Sequence, residues 1–304
     1  MKTLLTTLLA GLFVASASVA AAEPVTVCLN KDNAPFSMLK DGKEIGFDVA
    51  VARAVAKQLN RPLEIKWYLK ERRSRVPVSL KASVLVTAGV CQLVGGFPLV
   101  QSSLERPAGN DETMLPPVDG WPDEKRQNPV KGAQLVGGAP YHFAGVTPVL
   151  GSKVQGEIKS LDALQAYRIG NRPASIGDLI AMAYKNGLLL KNVSHVDARD
   201  EPFDAMARGD FDATLVEAHK FDMYRVENPQ TLLRASGLML PIGFNLGFVT
   251  TAQNAALLQA VDTALAGLVK TGELAQIARD AGLSWSAPQH PAIRSGLGLE
   301  NFVN

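Results

Sequence analysis

From Val25 onward, apolar and polar positions alternate and then give way to helical spacing. Val25-Thr26-Val27-Cys28-Leu29 alternates as a strand and runs into the turn-rich stretch Asn30 to Pro35. After Gly46, the residues Phe47, Val51, Val55 and Leu59 recur every fourth position and give a helix one apolar stripe. Asp48 lies in its first turn, where the helix dipole favours negative charge, and Asn60-Arg61-Pro62 ends it. Leu63, Ile65 and Trp67 alternate as a second strand, and Val90 to Phe97 reads as a third element containing Gly95-Gly96. Strand, helix and strand in succession predict an α/β lobe with a mostly parallel sheet.

Residues 107 to 132 interrupt this rhythm with Pro107, Pro116-Pro117, Pro122 and Pro129 among charged residues, which predicts a long surface excursion. The pattern resumes at Gln134-Leu135-Val136 and Ala139-Pro140-Tyr141-His142-Phe143. A second α/β set follows. It has strands at Tyr167–Gly170, Val193–Val196, Asp212–Glu217 and Gly243–Thr250, and helices around Asp178–Lys185 and Glu201–Arg208. Two helices close the chain. Leu258, Val261, Leu265 and Leu268 stripe one; Leu274, Ile277 and Ala281 stripe the next, with Gly282 as its C-terminal cap. Residues from Ser286 onward predict a tail packed on the surface.

The first residues carry a different pattern: Lys2, an apolar run from Leu4 to Val14, and small residues through Ala20-Ala21-Ala22. That order predicts a cleaved secretory signal over residues 1–22 and a periplasmic mature protein. The apolar run is shorter than the roughly 20 residues a spanning helix needs, and no Cys adjoins the cleavage site, so no membrane anchor is expected. Cys28 and Cys91 are the two cysteines, and in an oxidising compartment they permit one intramolecular disulfide. Two unrelated buried thiols are the alternative. A formal charge of +2 over 304 residues points to neither nucleic acid nor an anionic membrane as partner.

Catalytic constellations find little support, and no enzyme activity, metal site or cofactor is expected. His142, His195, His219 and His290 are scattered, with no i, i+4 pair of the kind a helical zinc site uses. No G-x-S-x-G elbow gives a serine its nucleophile setting. Asp210 and Asp212 flank a turn more naturally than they form an acid–base pair, and no calcium-type or lanthanide-type loop is present. Lys66, Lys70, Arg72, Arg73, Arg75 and Lys81 form a basic concentration that reads as a solvated face or as a surface steering an acidic partner, with Arg72 and Arg73 as the contact candidates. Trp121 is the aromatic anchor candidate for such a partner.

Five segments taken in order carry a family resemblance: Ala34-Pro35-Phe36, Gly46-Phe47-Asp48-Val49-Ala50, Gly209-Asp210-Phe211-Asp212-Ala213, Asn245-Leu246-Gly247-Phe248 and Lys270-Thr271-Gly272-Glu273-Leu274. In this order the chain resembles the type II periplasmic solute-binding proteins that bind amino acids. The resemblance implies a two-lobed fold with two hinge crossings, near Phe143–Thr147 and Phe244–Phe248. Residues 23–143 and 246–304 then form the first lobe, and 144–245 the second. It also implies a small-molecule receptor for an ABC transporter, with Phe36, Phe47, Arg106, Tyr141, Ser175 and Glu217 as cleft candidates. Phe36 and Tyr141 would wall an apolar site or pack as core. Ser175 would bind an anion at a helix N-terminus or simply cap the helix. Glu217 stands where the family offers a carboxylate to a ligand amine, and it reads equally as a solvated carboxylate; Arg106 reads as a ligand clamp or a loop ion-pair residue.

A narrower likeness rests on Cys28, Pro35-Phe36-Ser37, Trp67, Arg72-Arg73 and Gly89-Val90-Cys91. These resemble the MxaJ and XoxJ families, accessory binding proteins of quinoprotein methanol dehydrogenases, with the wording leaning toward XoxJ. That likeness implies a protein that matures or activates a pyrroloquinoline-quinone (PQQ) dependent methanol dehydrogenase of the lanthanide type. Departures from the amino-acid binders point the same way. Gln92 follows the second Cys where an acidic residue is usual, Phe97-Pro98 replaces a ligand-holding Thr, and Arg106 falls late for the guanidinium that pairs with an α-carboxylate.

Overall fold

The computed structural model describes residues 22–69, 75–105, 111–197 and 200–299. The first strand β1 (Val25–Asn30) leads into a small antiparallel sheet of β2 (Asp32–Asn33), β3 (Ser37–Lys40) and β4 (Lys43–Ile45). Then come α1 (Phe47–Gln58), β5 (Leu63–Tyr68), α2 (Val78–Thr87), β6 (Leu93–Pro98) and α3 (Gln101–Leu104). A short ribbon of β7 (Glu112–Thr113) and β8 (Val130–Lys131) precedes the long strand β9 (Leu135–Leu150). The second set comprises β10 (Ile169–Asn171), α4 (Ile176–Ala183), β11 (Val193–His195), α5 (Pro202–Arg208), β12 (Ala213–Glu217), α6 (Ala218–Glu227) and β13 (Arg234–Ala235). The long return strand β14 (Leu240–Thr251) and helices α7 (Ala255–Lys270) and α8 (Glu273–Asp280) follow.

The main sheet runs β11-β10-β12-β9-β14-β6-β1-β5, with β13 added beside β9. β1 is parallel to β5 and β6, and β10 is parallel to β11 and β12. The two long strands β9 and β14 pair antiparallel in the middle and run through both halves. A continuous apolar run of that length satisfies its backbone groups against different neighbours at each end. β14 bonds β6 on the first-lobe side, and β9 bonds β12 on the second-lobe side. The fold is therefore the expected two-lobed α/β architecture, with two strands crossing between the lobes. The pieces Gln134–Val136 and Ala139–Phe143, read separately from sequence, belong to the single strand β9.

Each half-sheet is covered on both faces, as a parallel sheet requires. In the first lobe, α1, α7 and α8 bury Phe47, Val51, Phe248, Leu265 and Leu274 on one face. On the other face α2 buries Leu85 and Val86 against Cys28, Cys91 and Phe97. Cys28 and Cys91 are disulfide-bonded, with Cα atoms 5.7 Å apart. In the second lobe α4 packs Ile180 and Ala181 on one face, and α5 and α6 pack Phe203 and Phe221 on the other.

One segment differs from the sequence expectation. The described part of the proline-studded excursion is no free surface loop: Leu115 and Val118 are buried in the first-lobe core. Val118 bridges Tyr68, the Leu69 N–H donates to Pro117 O, and the Asp119 N–H donates to Trp67 O. The segment thus covers the free edge of β5, which would otherwise present unpaired backbone groups. The C-terminal tail packs on the surface as expected and is hydrogen-bonded there. The Phe143 N–H donates to Ser286 O, Asn245 Nδ2 donates to Gln289 O, and the Gly243 N–H donates to Leu297 O, so the tail binds both crossing strands. Leu299 reaches the core of the second lobe.

Candidate functional site

The face that the first lobe turns toward the second is built on the first turn of α1. Asp48 is fully buried there and accepts the Tyr141 hydroxyl proton at 2.8 Å, while Tyr141 Oη accepts the Gly96 N–H at 2.8 Å. The other carboxylate oxygen, Oδ2, has no hydrogen-bond partner. Gly96 has φ +64°, and a Cβ placed on it would come within 2.2 Å of that oxygen, so only glycine serves at this position. Burial pushes the Asp48 carboxyl up to about 7, against the lowering effect of the Tyr141 hydrogen bond. A carboxyl of this kind holds its proton into the near-neutral range.

Aromatic rings surround this pair. Phe47 meets Tyr141 edge-on at 5.9 Å and His142 at 5.5 Å, and Tyr141 lies 5.3 Å from Phe248. His142 Nδ1 accepts the Ser286 N–H, and Trp285 Nε1 donates to Tyr141 O at 2.9 Å. Burial, with the nearby His219, pushes the His142 imidazole down to about 3, so the ring is neutral. Phe36 reaches across: its ring lies 6.0 Å from His142 and 5.1 Å from His219 of the second lobe. Burial also lowers His219, opposed by Glu217 and Asp222 and assisted by Lys220.

The second lobe presents α4 and α6. Ser175 Oγ accepts the Asp178 N–H at 3.2 Å, which makes Ser175 the cap of α4. Asp178 in turn accepts the Ala174 N–H at 3.0 Å, and its other oxygen lies 3.1 Å from His195 Nε2. The helix start is thus engaged by the chain's own carboxylate, and the capping reading of Ser175 accounts for the geometry. Asn171, fully buried, ties the layer together: Nδ2 donates to Gly177 O, and Oδ1 accepts from Thr214 Oγ1 and the Leu215 N–H. Gly177 lies so close to β12 that a Cβ would fall 1.7 Å from Leu215 O.

Two adjoining hollows open here, one within the second lobe and one between the lobes. One, of about 420 Å³, is lined by Ser175, Glu217, Arg172, Lys220 and Phe203. Its charges are paired at the rim, Arg172 with Glu201 and Lys220 with Glu217, both at 2.9 Å. The other, of about 190 Å³, is apolar and lies between Pro35, Met38 and Ile45 of the first lobe and Val226 of α6. Met223 lines both. The arrangement can accept a small organic molecule with an apolar body and a polar end.

The structure thus brings Ser175 and Glu217 together at one hollow, while Phe36, Phe47 and Tyr141 line neither hollow and are buried in the first-lobe core. Arg106, Arg72 and Arg73 lie outside the described residues. Trp121 is away from the hollows. Its ring is half-buried against the first-lobe core beneath Lys125 Nζ, 5.4 Å from the ring centre. Sequence reasoning missed α6 and with it His219, Asp222 and Met223. The one available signal was their position just after the strand ending at Glu217. Among the described residues, no group of three or more His, Cys, Asp or Glu side chains is placed to hold a metal ion, and no helix is long and apolar enough to cross a membrane.

This geometry defines a class, the two-lobed type II solute-binding fold, and the comparisons with known proteins agree. A family model described as bacterial extracellular solute-binding proteins, family 3, matches residues 25–90. The unliganded open L-cystine solute receptor of Neisseria gonorrhoeae is 19% identical, with 87% of this chain and 95% of that chain covered and a TM-score of 0.60. The open substrate-binding domain 2 of Lactococcus lactis GlnP is 19% identical, with 87% and 97% covered and a TM-score of 0.57. An ancestral cyclohexadienyl dehydratase is 18% identical, with 85% and 92% covered and a TM-score of 0.58. No curated protein matches the sequence. These neighbours are mainly binding proteins, and the dehydratase demonstrates that the same scaffold has also carried catalysis.

Proposed function

We propose that this chain is a periplasmic binding protein, without enzymatic activity, that holds a small organic solute between its lobes for a membrane transporter. The lobes divide inside β9 and β14, at 143/144 and 245/246. The observation that carries the reading is the apolar hollow between the lobes at Pro35 and Ile45, which adjoins at Met223 a second-lobe hollow carrying Ser175 and Glu217. Against catalysis stands the use already made of the obvious groups. The Ser175 hydroxyl caps α4, His195 leans on Asp178, and among the described residues no serine hydroxyl is hydrogen-bonded to an imidazole. A thermal-shift screen of amino acids, amines and small carboxylic acids tests the receptor reading, because a ligand that binds only the folded state raises the midpoint. A reproducible, concentration-dependent rise is expected for at least one class, and its absence across the screen counts against a solute receptor.

A second reading is favoured by one specific feature. The Cys28–Cys91 pair, part of the likeness to the MxaJ and XoxJ families, is bonded. On this reading the protein engages a quinoprotein methanol dehydrogenase during its maturation. Co-purification with the dehydrogenase and its loss of activity in a deletion strain are the expected outcomes. Full dehydrogenase activity in that strain would remove this reading and leave the receptor reading intact.

A further inference from the structure

Helix α6 belongs to the second lobe by its packing on β12 and β9, yet one of its buried groups is satisfied by the first. The Asp222 side chain is only 3% exposed. Its Oδ2 accepts the Ser284 N–H at 2.7 Å and its Oδ1 accepts the Ser284 hydroxyl at 2.7 Å. Ser284 follows α8, the closing helix of the first lobe. Arg225 Nη2 supplies a third donor to Oδ1 at 2.7 Å. One turn further along α6, Val226 packs so closely on Gly282 that a Cβ there would lie 2.9 Å from Val226 Cγ2. At the start of the helix, His219 meets Phe36. Three successive turns of α6 therefore touch the first lobe directly.

The tail that begins at Ser284 continues this joint. Trp285 donates to Tyr141 O and Phe143 donates to Ser286 O. Asn245 exchanges hydrogen bonds with Gln289, donating to Gln289 O at 2.7 Å and accepting its N–H at 2.9 Å. Arg294 Nη2 donates to Pro241 O at 2.9 Å. Residues 285–297 thus lie along both crossing strands at the point where a hinge rotation would have to bend them. A buried carboxylate is expensive to strip of its donors, and hydrogen bonds to charged groups are the strong ones.

We propose that Asp222 and Ser284 form an interlobe latch, with the tail as a strap over the two crossings, whose hydrogen bonds oppose opening of the lobes. A ligand or partner then shifts an equilibrium that the protein's own atoms already bias against opening. This goes beyond the identity of the solute and holds for either proposed partner. A ligand must enter by first releasing the latch, so its association is gated by opening.

The test is an interlobe distance in the full mature chain, with the native disulfide intact and no ligand added. Spin labels at Lys57→Cys on α1 and Lys191→Cys before β11, both exposed, report the distance by double electron–electron resonance. The unliganded protein is expected to give one short distance. Asp222→Ala is expected to raise the longer-distance population by about tenfold or more, and Ser284→Ala to raise it by a smaller factor because the backbone N–H remains. Circular dichroism establishes that each variant is folded. If Asp222→Ala does not fold, Ser284→Ala carries the test. An unliganded wild type already spread over long distances, or a folded variant with an unchanged distribution, overturns the latch. A thermal-shift screen without hits would instead argue against the receptor reading, so the two failures are distinguishable.

Discussion

The two walls of the cleft are built on opposite principles. The first-lobe wall is dry: Phe47 and Tyr141 are fully buried, Asp48 keeps one oxygen unpartnered, and Gly96 leaves no room for a side chain. The second-lobe wall is wet. Its charges sit in rim ion pairs, and its Ser175 and Asp178 are spent on capping a helix. A dry, close-packed wall holds one geometry and tolerates little change, whereas exposed ion pairs are weak and rearrange at small cost. Stability should therefore be concentrated in the first wall, and ligand discrimination in the second.

The largest effect that would sharpen this contrast is truncation. Phe47→Ala is expected to cost roughly 3–5 kcal/mol in urea denaturation, as for other buried aromatics. Lys220→Ala on the facing wall should stay under about 1 kcal/mol. Equal losses would dissolve the distinction. Next comes the staple. Replacing Cys28 and Cys91 with Ala opens a connection between residues 63 apart and should cost about 2–4 kcal/mol. Mass spectrometry of the native protein should find no free thiol.

A subtler effect lies in pH. Asp48, raised to about 7 when folded, retains a proton that the unfolded carboxyl releases near its ordinary 3.8. Its contribution is complete below about pH 4 and is lost as pH rises through 7. His142, lowered to about 3, refuses a proton that the unfolded imidazole accepts near 6.5, so its contribution is present above that value and lost as pH falls toward 3. Between about pH 4 and 6.5 the two slopes oppose each other. Asp48→Asn should leave a protein that weakens on acidification across that window, with His219 adding to the loss. His142→Phe should leave one in which Asp48 strengthens the fold on acidification against the smaller opposing contribution of His219. Denaturation midpoints measured at several pH values would decide it, and parallel curves for both variants would refute the opposition. The smallest effect on stability belongs to Glu217→Gln, within about 1 kcal/mol of wild type. Any solute found by thermal shift should nevertheless bind this variant more weakly by titration calorimetry, and unchanged affinity would remove Glu217 from the site.

Much of the scaffold was legible because local periodicity reports burial. The stripe Phe47, Val51, Val55 located α1, and the alternation in Val25–Leu29 located β1. The glycine after α8 was equally readable from residue chemistry alone. Helix α6 was not. Its buried members, Phe221 and Asp222, are neighbours in sequence and define no stripe, because one faces the second-lobe core and the other the first lobe. The burial of the excursion after residue 110 and the partners of the tail after Ser286 escaped a local reading for a related reason. Their apolar and hydrogen-bonding residues serve partners far along the chain, the edge of β5 and the crossing strands, and no short window contains both halves of such a contact.

The sequence by itself therefore determined most of the strands and helices, the two cysteines available for pairing and the chemical types at the two walls. Only the tertiary structure decided that Ser175 is spent as a cap, that Asp48 is sealed against Gly96 and Tyr141, and that Asp222 reaches across to Ser284. The physical reason is one of range. Propensity and periodicity act over a few residues, whereas desolvation and hydrogen-bond pairing depend on what the fold brings within about 3 Å.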